Sequence, residues 1–153
     1  MKPLDENRLR TAGLASVNSA KFGMVRKNAD GTPRAHQGID LQANKGVAVY
    51  AVAAGVIVGI NLGLDGYGYT ITLKLNEKNL FAFYAHLSEI LVKVGDKVTD
   101  GQKIAKTGST GNAKGMDSIA RGSHLHLEFR TKQTVGRGLV DRIDPLDFVE
   151  LDS

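Results

Sequence analysis

The chain contains no cysteine. That excludes a disulfide staple, a thiolate metal site and a cysteine nucleophile. Long apolar runs are missing as well, so membrane insertion is not expected. The opening Met1-Lys-Pro-Leu-Asp-Glu-Asn-Arg8 shows no apolar stretch of the kind that forms an export signal, which leaves the export route open. Aromatics are scarce at 6%, and Lys and Arg are dispersed rather than interleaved with them. A formal charge of +4 therefore gives little support to nucleic acid as a partner, while an anionic cell wall remains compatible with it.

At 153 residues the chain is long enough for one domain with a substantial core. Glycine is abundant at 18, and Val, Ile and Thr recur in short runs, so a mainly β chain with tight turns is expected. Residues 1–20 are polar and read as an N-terminal arm or linker, with 21–153 as the folded domain. Segments 47–53 and 56–60 are near-continuous apolar runs divided by Ala54-Gly55, the pattern of two buried strands joined by a hairpin turn. Segment 69–75 alternates, 76–79 turns the chain, and 80–87 reads as the next strand. Short β stretches between glycine turns fill 92–105. Residues 108–123 form a glycine-rich loop without the Gly-Lys-Ser/Thr of a phosphate-binding loop, expected as a flexible wall or lid of a groove. Asp144 before Pro145 is placed to cap a short C-terminal helix.

The most informative stretch is Gly122-Ser-His-Leu-His-Leu-Glu-Phe-Arg130. Its alternation is that of a half-buried strand, with Leu125, Leu127 and Phe129 inward and His124, His126 and Glu128 on the other face. The two histidines then stand roughly 6.5–7 Å apart at the backbone, from a rise of about 3.3 Å per residue. One can bind a metal while the other reaches what the metal holds. Earlier in the chain, His36 and Asp40 are four residues apart. On a straight strand they would lie about 13 Å apart, too far for one ion. Gly38 and Ile39 between them disfavour a helix, which leaves a turn at Gly38 that folds the two side chains together.

The chain's four histidines fall in three motifs: His-x-Gly-x-Asp at 36–40, Tyr-x-His-Leu-Ser at 84–88 and His-Leu-His-Leu-Glu at 124–128. Together with Phe22-Gly23, Arg26, the Gly-Asp-x-Val-x-x-Gly-Gln run at 95–102, Thr107-Gly-Ser-Thr-Gly111 and Ile143-Asp-Pro145, this set resembles the lysostaphin-type, or LytM-like, zinc endopeptidases over residues 22–149. Those enzymes cut peptides of bacterial peptidoglycan. The resemblance implies His36, Asp40 and His126 as zinc ligands, with His86 and His124 as unligated active-site histidines. Two His and one carboxylate leave one position open on a tetrahedral zinc, as in catalytic sites. His86 and His124 would share the roles of general base and of donor to the oxyanion or leaving amine, in an order the sequence leaves open.

The same resemblance implies a small antiparallel β core, partly wrapped into the barrel-like layout shared with biotinyl and lipoyl carriers, with long active-site loops. A carrier module is disfavoured because no Met-Lys-Met attachment site is present. The rival within the family is a non-catalytic domain that binds peptidoglycan or activates another wall hydrolase. Action at the cell wall or periplasm is expected. Delivery as a secreted effector would add an immunity or delivery protein as a partner.

Overall fold

The computed structural model describes all residues, Met1–Ser153. Eleven strands carry the fold: β1 (Gly23–Lys27), β2 (Pro33–His36), β3 (Ile39–Gln42), β4 (Ala48–Tyr50), β5 (Gly55–Leu62), β6 (Tyr69–Leu75), β7 (Phe81–Ile90), β8 (Lys97–Val98), β9 (Lys103–Thr107), β10 (His124–Arg130) and β11 (Arg142–Ile143). All pairings are antiparallel. The main sheet runs β11-β10-β7-β6-β5-β8, with β3 on β10 and with β9 bridging β4 and β7. It does not close: β11 and β8 stand at opposite ends of that path. The wrapping expected from the resemblance is therefore that of an open sheet. No helix is long and apolar enough to cross a membrane.

β10 is the central strand. One of its edges pairs with β7, and the other takes β3 along its first half and β11 at its end. Leu125, Leu127 and Phe129 are fully buried in a core shared with Ile39, Leu41 and Tyr84. A half-buried strand would leave its opposite face exposed, yet His124, His126 and Glu128 are buried too. His126 and Glu128 have both their polar atoms partnered inside the protein and His124 is bonded through Nδ1, which offsets the cost of such burial.

β7 changes partners along its length. Phe81–Ala85 pairs with β10, and Leu87–Ile90 with β9. The switch falls at His86, where β7 carries one residue more than β6 between paired positions. His86 also has a positive φ of 59°. A bulge with a non-glycine residue in the left-handed region re-aims a side chain at a backbone cost of about 1–3 kcal/mol.

The expected hairpin is corrected. Segments 47–53 and 56–60 do not form a hairpin, because β4 pairs with β9 while β5 pairs with β6 and β8. Gly55 is no turn glycine. It opens β5, where a Cβ would lie 2.1 Å from the Lys74 carbonyl oxygen. The C-terminal helix is a single 3-10 turn, Pro145–Asp147, capped as expected by Asp144, whose Oδ1 accepts from the Leu146 amide at 2.9 Å.

Residues 3–10 pack against the sheet. Arg8 accepts from the Gln42 amide and Arg10 donates its amide to Asp40, each at 2.9 Å, so this stretch runs along the free edge of β3. Leu4, Asn7 and Arg10 are buried.

Candidate metal centre

β2 ends at His36, two residues bend the chain, and β3 carries Asp40. The bend does what the sequence required of Gly38. His36 Nε2 lies 3.1 Å from Asp40 Oδ1. Register sets the third member: Asp40 on β3 stands opposite His126 on β10. His126 Nδ1 lies 3.0 Å from the same Oδ1. The other oxygen, Oδ2, accepts from Arg26 at 2.8 Å and from Arg10 at 3.4 Å. Two arginines thus hold the carboxylate through Oδ2, which also has His124 Nε2 3.7 Å away, and leave Oδ1 to His36 and His126.

His36, Asp40 and His126 place their donor atoms within 4.8 Å of one another. Two imidazole nitrogens and one carboxylate oxygen, in a chain without thiolates, fit zinc with a fourth position open. The imidazoles are also aimed. His36 Nδ1 bonds the Lys21 carbonyl at 2.8 Å, and His126 Nε2 bonds Glu128 Oε2 at 2.8 Å. Partners of this kind fix ring orientation at metal sites.

His86 and His124 come from different strands and meet with ring centroids 5.2 Å apart. Each uses Nδ1 to bond a backbone carbonyl at 2.7 Å, Thr110 for His86 and Gly122 for His124. A carbonyl only accepts, so Nδ1 carries the proton, and neutral His86 and His124 keep a free lone pair on Nε2. Burial, helped by the neighbouring imidazoles His124 and His126, pushes His86 down to about 4. Burial also lowers His124, against the pull of Asp40. His126 behaves oppositely. Burial would lower it, but hydrogen bonds to Asp40 and Glu128 and their charges lift it to about 9 in the metal-free protein. Asp40 is held well below the usual carboxylate range because its histidine partners outweigh its burial.

All five residues line one cavity of about 370 Å³. Asn112, Ala113 and Met116 form one wall and Gly66 and Tyr67 another, so the 108–123 loop borders the site as expected. It is tied down as well: Thr110 Oγ1 donates to the Leu87 carbonyl and accepts from the Tyr69 amide, at 2.7 and 2.9 Å. Arg10, Tyr67, Arg130 and Arg142 were not singled out from the sequence. Glu128 was placed on the histidine face without a role. Tyr67 stacks on His126 at 5.7 Å, and its hydroxyl accepts from Gln37 Nε2.

Comparison with known proteins agrees with this geometry. The chain is 38% identical over 110 residues to the "Murein hydrolase activator NlpD" of Salmonella dublin, a match covering 72% of this chain and 27% of that protein. The catalytic domain of lysostaphin from Staphylococcus simulans superimposes with a TM-score of 0.69 at 31% identity, covering 84% of this chain and 87% of that one. A zinc-containing peptidase from Vibrio cholerae gives a TM-score of 0.70 at 28% identity, covering 99% of this chain and 40% of that one. The chain spans 22% to 45% of the length of the curated relatives it matches. The description "Peptidase family M23" matches residues 34–137, a stretch that holds His36, Asp40, His86, His124 and His126. The chain therefore belongs to peptidase family M23.

Proposed function

We propose that the chain is a zinc metalloendopeptidase that hydrolyses peptide cross-bridges or stem peptides of bacterial peptidoglycan, acting at the cell wall. The observation that carries this reading is the convergence of an open three-donor set with two further imidazoles in one cavity. His36, Asp40 and His126 would hold the metal. When bound, zinc supplies a Lewis acid and a water acidified to a pKa of about 7.

The chain's own residues do the rest. His86 and His124 are neutral near pH 7, with Nε2 free to accept a proton. One takes the proton of the attacking water, and the other, once protonated, donates to the developing oxyanion or the leaving amine. The walls at Tyr67 and Met116 would flank the peptide and limit water around the scissile bond.

A second reading rests on the likeness to a protein named as a murein hydrolase activator. In it the chain binds the wall and stimulates another hydrolase without cutting. The complete donor set and both additional histidines favour the peptidase. Elemental analysis tests the metal directly: one zinc per chain, removed by a chelator and restored by zinc, is the expected result. A purified chain that takes up no zinc would overturn the reading.

A further inference from the structure

Glu128 is the one buried carboxylate beside the site that the reaction scheme leaves without a task. It is fully buried in the middle of β10, and both of its oxygens are engaged. Oε1 accepts from Arg130 Nε at 2.8 Å and from Arg142 Nε at 2.7 Å. Arg142 is itself fixed, donating through Nη1 to the Gly136 and Gly138 carbonyls at 2.7 Å each. Arg130 is held over the Phe83 ring, 3.7 Å from its centroid. The carboxylate is therefore clamped on Oε1, while Oε2 meets His126 Nε2 at 2.8 Å and the Tyr67 hydroxyl also approaches the carboxylate.

His126 is also the exception among the four histidines. His36, His86 and His124 each bond a backbone carbonyl through Nδ1 and turn Nε2 toward the cavity. His126 is reversed, with Nδ1 on Asp40 and Nε2 on a side chain. An ionised carboxylate accepts and does not donate. It demands the proton on Nε2, and in a neutral imidazole that leaves the lone pair on Nδ1.

We propose that Glu128, clamped by Arg130 and Arg142, is a positioning residue that fixes His126 as an Nδ1 metal donor. The inference rests on the reading of His126 as a zinc ligand. It extends the metal site into the segment around Arg142, which lies beyond the residues matched by the family description.

The test uses the whole chain and zinc itself. In Glu128→Gln the two arginines still require an acceptor, so the amide oxygen stays with them and the amide NH2 faces His126 Nε2. That would move the imidazole proton to Nδ1 and block the donor. Zinc affinity, measured by competition with a chromophoric chelator at a temperature where the variant is folded, should fall about 10–100-fold. The zinc-free melting temperature should fall as well, because Arg130 and Arg142 lose their buried counter-charge. In the zinc-loaded wild type, nitrogen NMR of labelled histidine should show the metal shift on His126 Nδ1 and a slowly exchanging proton on Nε2. Zinc held as tightly by Glu128→Gln as by the wild type would overturn the inference alone. So would a metal shift on His126 Nε2, and this measurement decides the matter if the variant fails to fold. A wild type that binds no zinc in the same titration would instead remove the metal-centre reading on which the inference stands.

Discussion

Gly38 and Leu127 approach so closely that a Cβ at position 38 would lie 2.2 Å from the Leu127 carbonyl oxygen. The contact joins the bend between His36 and Asp40 to the strand that carries His126. What position 38 needs is space, because a backbone oxygen in a paired strand cannot move aside. Gly38→Ala should cost on the order of 1–3 kcal/mol, as overpacking does. It should also weaken zinc binding although no donor atom is lost. Thermal melts with and without zinc check this; unchanged stability and affinity would show that the bend has room.

The donors and the proton-handling histidines should separate on mutation. His126→Ala and Asp40→Ala are expected to lose zinc. His86→Ala and His124→Ala should keep it while turnover falls about 10²–10⁴-fold, the usual worth of general acid–base catalysis. Zinc content and cleavage rate measured on the same preparations decide it. Loss of zinc from His86→Ala as complete as from His126→Ala would contradict the assignment.

Acid should act through two groups with opposite shifts. His86, pushed down by burial to about 4, stays neutral well below the ordinary imidazole value of about 6.5. The unfolded chain takes up that proton first, so its contribution to stability is lost as pH falls from about 6.5 through about 4. His126, raised to about 9 without metal, contributes stability below about 6.5 that is lost as pH rises through 9. With His126 as a ligand, as proposed, zinc would have to displace its proton, so affinity should fall about tenfold per pH unit below that value. Cleavage at limiting zinc should therefore fail at a higher pH than cleavage at saturating zinc. Coincident acid limbs would rule out this separation.

Met116 stands half-buried in the loop wall, with its sulfur 4.0 Å from Arg10 Nη2. Met116→Ala should leave zinc content unchanged and shift stability by no more than about 1 kcal/mol, since little core is lost. Relative cleavage of peptides that differ in bulk next to the scissile bond should change. Identical preferences in both proteins would place the peptide elsewhere.

Much of the site was legible because its signals are local. Period-two alternation put His124, His126 and Glu128 on one face, and the four-residue spacing at His36 and Asp40 demanded the bend that Gly38 supplies. Pairing partners were not legible. Two apolar runs beside Ala54-Gly55 look like a hairpin whichever strands they join, and only the assembled sheet gives β4 to β9 and β5 to β6. Arg10 reaches Asp40 across 30 residues, and Arg142 reaches Glu128 across 14, with no periodicity to link them. His86 offered no sign of its left-handed backbone, since the cost is borne by the bulge in β7.

The central claim is that this chain cuts wall peptides with zinc. Purified sacculi from several bacterial types, incubated with the zinc-loaded chain alone, test it most directly when the released fragments are identified by mass. The account predicts new peptide termini in the released fragments, lost with a chelator and restored by zinc. Sacculi left intact by the zinc-loaded chain, but dissolved faster when it is added to a second hydrolase, would contradict it and favour the activator.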